Sequence, residues 1–196
     1  MGIQRTVAPS STVPVVAVQD VKQGLDIAET ETGHDDFLRR LINGAVATVE
    51  RWTGRSLLTQ TWKLTLDAWP TNSEIALPYP PLQSVTSIQY VDSDGVTQSV
   101  DSSDYRIDDQ AEPARITPAF NAVWPTARTV TNAVTVTYVA GYGDKSTDIP
   151  DDIIDAIHVL VYHRFEEPAS TDIPDGAKRL LKSLSTGVVL GTMQTQ

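Results

Sequence analysis

The chain has 196 residues, 40% of them hydrophobic and 20% charged, with a formal net charge of −10 and no cysteine. Without cysteine there can be no disulfide and no thiolate-held metal, and so acidic a chain is poorly suited to gripping nucleic acid, whose phosphates call for Lys and Arg. No apolar run approaches the ~20 residues needed to span a bilayer, and the N-terminus lacks the layout of a secretory signal, so a soluble, unexported protein with no membrane partner is expected.

Residues 1–17 hold Pro9, Ser10, Ser11, Thr12 and Pro14 with no helical period, and are expected to be an extended arm that orders only on a neighbour. Met1 to Thr6 match the N-myristoylation pattern, which carries no weight without a second membrane signal nearby. Val18 to Leu25 is a short helix candidate interrupted by Gly24. Asp26 to Asp36 is acidic, with Thr32 or Asp35 as a possible cap. Asp35 and Asp36 suit the positive end of the next helix, so no metal is needed to explain them.

Phe37, Leu38, Leu41, Ile42, Ala45, Val49 and Trp52 recur at spacings of three and four, the apolar stripe of a helix that Gly54 stops. The period then changes. Trp62, Leu64, Leu66 and Ala68 alternate with Lys63, Thr65 and Asp67, as in a strand with one buried and one wetted face. Strands are predicted at Leu57–Ala68, Glu74–Leu77, Val85–Val91, Val96–Val100, Tyr105–Asp108, Ala114–Thr117 and Ala133–Ala140, which at this spacing indicates antiparallel pairing. Asp92 to Gly95 reads as a hairpin turn, and Pro78, Pro80 and Pro81 as an extended surface segment.

Thr117 to Asn132 is a long irregular loop carrying Phe120 and Trp124. These rings either fold back over the end of the sheet or anchor a partner; a subunit or partner contact is the expectation. After Gly141 to Asp144 the helical period returns, with Ile153, Ile154, Ile157, Leu160 and Val161 as its stripe. A last short helix follows Pro174. Residues 185–196 carry no charged side chain and read as an extended tail.

Candidate chemistry is sparse. His158 and His163 are five apart on a helix, hence roughly 140° apart around it, and do not converge on one metal. Asp92-Ser93-Asp94-Gly95 begins like a calcium loop, but position twelve is Ser103 where Glu is needed. Gly141-Tyr142-Gly143 lacks the third glycine of a dinucleotide loop, with Ser146 in its place. No catalytic, cofactor or metal site is expected, and the chain is not expected to be an enzyme.

The two apolar helix stripes flanking the strand block must pack on each other. The expected fold is α+β, a small helical bundle with an inserted antiparallel β-sandwich or barrel. Its parts are an arm at 1–17, the bundle at 18–55 and 148–184, the β-domain at 56–147 and a tail at 185–196.

Three segments carry a resemblance. They are Glu50 to Trp62, Leu77-Pro78-Tyr79-Pro80-Pro81-Leu82-Gln83-Ser84-Val85-Thr86-Ser87-Ile88, and Gly141-Tyr142-Gly143-Asp144 with Ile149-Pro150-Asp151-Asp152-Ile153. In order and spacing they cover about residues 18 to 184, and the chain resembles the head-tail connector (adaptor) proteins of long-tailed bacteriophages and gene-transfer particles. The resemblance implies a structural virion protein at the head–tail junction, assembled in the bacterial host cytoplasm. It would form a homo-oligomeric ring, commonly of twelve copies, between the portal protein and a tail-side stopper or terminator protein. DNA would pass through the pore without sequence-specific binding, past an acidic wall to which it does not stick, although solubility alone also accounts for the acidity. In that setting the tail is the portal-docking segment, with Val188, Val189, Leu190 and Met193 as anchors. The alternative is a ligand- or carbohydrate-binding β-sandwich module using the Phe120 and Trp124 loop.

Overall fold

A computed structural model describes residues 1–9, 14–168, 170, 172–182 and 184. Along them run Gly2–Val7 (β1), Val18–Gly24 (α1), Asp35–Thr53 (α2), Gln60–Leu66 (β2), Ile75–Leu77 (β3), Leu82–Val91 (β4), Thr97–Ser99 (β5), Tyr105–Asp108 (β6), Ala114–Pro118 (β7), Val134–Ala140 (β8), Asp151–Glu166 (α3) and Asp175–Leu181 (α4). The described residues are thus mixed α+β, with four helices and two antiparallel sheets. They divide into two units. One comprises Met1–Pro9 and Thr59–Tyr142 and holds the sheets; the other comprises the described residues of 10–58 and 143–196 and holds the helices.

In the helical unit, α2 buries Leu38, Ile42, Ala45, Val49 and Thr53, and α3 buries Ile153, Ala156, Ile157, Leu160 and Val161. Each set recurs every three or four residues, so each helix turns one continuous stripe inward. Phe37 and Phe165 meet with centroids 6.1 Å apart, and Arg164 donates to Thr48 Oγ1 at 2.9 Å. The predicted stripe errs at its end, where Trp52 is 43% exposed and Thr53 is buried instead. Thr53 tolerates burial because its hydroxyl donates to the Val49 carbonyl at 2.8 Å. Gly54 ends the helix with φ at 67°, a left-handed conformation that glycine adopts without steric cost. Buried Arg55 then donates to the Leu184 carbonyl at 2.7 Å.

The five-stranded sheet has the order β1-β2-β8-β4-β5, and the three-stranded sheet the order β3-β7-β6. The first is open, with β1 and β5 as edges, so the barrel alternative is incorrect. Along β8, Val134, Val136, Tyr138 and Ala140 are buried while Thr135 and Thr137 are partly exposed, the alternation that a half-buried strand requires. One core draws on both sheets, through Leu64, Ile75, Leu77, Ile88, Ile116, Val136, Tyr138 and Ala140.

Two further expectations give way. The N-terminal arm does not wait for a neighbour: β1 lies antiparallel to β2, pairing Gly2 with Thr65, Ile3 with Leu64 and Gln4 with Lys63. Without it β2 would be the sheet edge, with half its backbone donors and acceptors unpaired. The proline run is not a surface segment either, since Pro78 and Pro80 are buried. Tyr138 reaches up to donate to the Pro78 carbonyl at 2.7 Å, and Tyr79 stacks on Trp62 with centroids 4.0 Å apart.

Candidate interaction surfaces

The loop after β7 is built to present side chains. Ala119 donates its N–H to the Asp104 carbonyl at 2.9 Å, and a turn closed by Ala122 N–H to the Ala119 carbonyl, also 2.9 Å, puts Phe120 at its tip. Asn121, at φ 63°, takes the left-handed corner. Phe120 is consequently 86% exposed and Val123 84% exposed, two large apolar side chains three residues apart in water.

Trp124 behaves differently. It stacks on Trp69 with centroids 4.6 Å apart and planes 3° from parallel, and packs at the margin of the β-unit core. Its indole N–H donates to the Ser73 carbonyl at 3.0 Å, while the Trp69 indole donates to the Pro125 carbonyl at 2.8 Å. The two rings exchange hydrogen bonds with each other's loops, which ties the base of the 118–132 loop to the sheet. Of the two aromatics named from sequence, only Phe120 therefore stands free of its own unit.

The remaining candidate sites resolve into local structure. Asp92 Oδ1 accepts from the N–H groups of Asp94 and Val96 at 3.0 and 2.9 Å, and Oδ2 from Gln98 at 2.8 Å, with Gly95 at φ 85° completing the hairpin. These bonds, the Gln98 amide first, hold the Asp92 carboxyl below its usual range. His158 stacks on Tyr162, whereas His163 Nε2 lies 3.0 Å from Ser170 Oγ, so the histidines point to different partners. Among the described residues, no three His, Asp or Glu side chains are grouped to hold a metal ion. After the bends at Gly141 to Asp144, Asp148 Oδ2 accepts from Lys145 N–H at 3.0 Å and lies against Gly143. The four tail anchors, Val188, Val189, Leu190 and Met193, lie outside the described residues.

Two features escaped the sequence reading. Lys22 is 1% exposed, and its ammonium reaches the carbonyls of Glu31 and Glu29 at 2.6 and 3.3 Å and the Asp35 carboxylate at 2.5 Å. A lysine thus does for the acidic 26–36 segment what a bound cation would. The second is the outer face of the five-stranded sheet, where Gln4, Lys63, Thr65, Thr135 and Thr137 sit side by side. None of its five strands contains Asp or Glu, although the whole chain has 25. That contrast was countable from sequence once the strands were known.

A model of the Head completion protein family matches residues 15–172. The chain belongs to that family. As a head completion protein it is a structural component of the head–tail junction of a virion, and the connector resemblance of its three motif segments stands. No curated protein matches it. Among solved structures, it is similar to a chain from the neck of an empty gene transfer agent particle computed with C6 symmetry. The identity is 24% and the TM-score 0.79, with 99% of this chain and 100% of the other covered. A chain of the native gene transfer agent virion matches at 24% identity and TM-score 0.78, over 98% and 99% of the two chains. A third, from the native particle's neck computed with C12 symmetry, matches at 24% and 0.74, over 99% and 100%. At this identity the likeness speaks for the fold.

Proposed function

We propose that this head completion protein forms a homo-oligomeric ring, of twelve copies, between the portal and the tail-side stopper or terminator, leaving a pore through which DNA passes without sequence-specific contact. The family match over residues 15–172 carries this reading, and the likeness to neck chains in particles computed with C6 and C12 symmetry supports it. In this ring the β-unit acts as a two-sheet sandwich and the helical unit as a bundle. Phe120, with Val123 beside it, is the apolar knob that meets a neighbouring subunit or a partner, since burying such a ring is what makes an interface hot spot. Residues 185–196 dock on the portal through Val188, Val189, Leu190 and Met193. An uncharged segment incurs little ionic desolvation there, and a ring of weak tails binds strongly by avidity. The chemistry is assembly, not turnover.

The test is mass by light scattering, alone and mixed with a portal ring. A ring-sized species or a portal complex is the expected result; a monomer in both conditions overturns the reading. Removing residues 186–196 should leave the melting midpoint unchanged and abolish portal binding, whereas docking at full affinity would refute the tail's role.

A further inference from the structure

We infer that β1 is an exchangeable strand, which in the ring pairs with β2 of the adjacent copy instead of its own. The inference rests on the ring reading above and adds how neighbouring copies are tied.

The argument starts from where the strand is attached. β1 belongs to the β-unit through its pairing with β2 and the packing of Ile3, while the chain that follows it, from Pro14 to Leu58, lies in the helical unit. The β-unit resumes only at Thr59. The strand is therefore joined covalently to one unit and by pairing to another, so nothing in the connectivity dictates which copy supplies the pairing.

The second observation is how little of the core depends on it. The buried core of the β-unit comes from β2, β3, β4, β7 and β8, and β1 adds only Ile3 at its margin. Its other five residues are exposed. Its side-chain bonds run to β2 and from it: Arg5 donates to Gln60 Oε1 at 3.0 Å, Thr6 to the Thr61 carbonyl at 3.2 Å, and Thr65 to the Gly2 carbonyl at 3.2 Å. A unit that keeps its core when the strand leaves is a ready acceptor for an identical strand. Every bond lost is regained, residue for residue, on the neighbour, which is why exchange is a low-cost route to association. The β2 edge is covered in either arrangement.

The connecting sequence, Ala8-Pro9-Ser10-Ser11-Thr12-Val13-Pro14, has proline near both ends, and proline can neither extend the ladder nor continue into helix interior. From Pro9 to Pro14 it reaches at most ~18 Å. Exchange is thus confined to copies already in contact, and a closed ring, where each copy gives one strand and receives one, covers the β2 edge of every copy.

The absence of cysteine makes the test direct. Gln4 and Lys63 are exposed and lie opposite each other in the β1–β2 register, a spacing that a disulfide can bridge. One chain carrying Gln4→Cys and another carrying Lys63→Cys are mixed in equal amounts, assembled and oxidised. Exchange predicts covalent dimers at about one in four interfaces, and a ladder of covalent oligomers when a single chain carries both substitutions. A control mixture of Gln4→Cys with Ser99→Cys, on the opposite edge strand β5, should give none. If the ring forms by mass but the double variant links only within each chain, exchange is overturned and the ring stands. If no ring forms in any mixture, both fall.

Discussion

Phe120→Ala and Trp124→Ala should part company, although the two rings share one loop. Phe120 is 86% exposed, so its removal withdraws almost no buried surface, and the melting midpoint should hold to within about 0.5 kcal/mol equivalent. Trp124 loses three things at once. The stack on Trp69 is worth ~0.5–1.5 kcal/mol, the bond to the Ser73 carbonyl about as much, and the partly buried indole adds its share of apolar area. Since a fully buried Trp costs roughly 3–5 kcal/mol on truncation, a half-buried one should cost about 2 kcal/mol. In a domain of 60–100 residues that lowers the midpoint by roughly 8–16 °C. Calorimetry reads the stability, and light scattering of the assembling ring reads the interface. Phe120→Ala should weaken assembly at an unchanged midpoint; Trp124→Ala should do the reverse at low temperature, where the unit is still folded. A Phe120 variant that melts far below the parent, or a Trp124 variant that melts with it, would refute this division of roles.

Lys22→Met strips the carbonyls of Glu29 and Glu31 of their donor and leaves Asp35 with only the more distant Arg39, at 3.9 Å, as counter-charge. It should destabilise the helical unit by about 3 kcal/mol in urea titration, and a loss under 1 kcal/mol would mean that water replaces the ammonium. Tyr138→Phe should cost about 1–3 kcal/mol at neutral pH by leaving the buried Pro78 carbonyl unpaired. Burial, and secondarily Tyr79, raises the Tyr138 phenol far above its usual range, so the folded state favours the neutral form. That contribution is complete below the unfolded value near ~10 and is lost as pH rises above it, by about 1.4 kcal/mol per pH unit. The Phe variant should accordingly show a shallower alkaline limb in pH-dependent unfolding, and an unchanged slope would count against burial of the hydroxyl. Gly143→Ala sets a methyl against the Asp148 side chain from its Cβ outward and should cost about 1–3 kcal/mol, part of it recovered in the Gly143→Ala, Asp148→Gly double variant, which removes that Cβ as well; strictly additive losses would show that the clash is not the cause.

Local chemistry made much of this protein legible before any tertiary information. The apolar stripes of α2 and α3, the Gly54 stop, the alternation along β2 and β8 and the Asp92 hairpin each depend on residues within one or two turns of each other, and the two periods of 3.6 and 2 announce themselves in the order of side chains. Composition likewise set the class, and three short motifs pointed to the family. What tertiary structure decided were partnerships made at long range. β1 has almost no apolar alternation, so its strand character comes from the unpaired backbone of β2, some sixty residues away. Pro78 lies inside because the Tyr138 hydroxyl comes to its carbonyl. Trp124 packs inward because Trp69 offers it a flat face, while Phe120, four residues earlier, has no such partner and stays in water. Lys22 is buried because the backbone of 29–31 and Asp35 close around its ammonium. In each case the residue's own chemistry permits either environment, and only the group that arrives from elsewhere in the chain selects one.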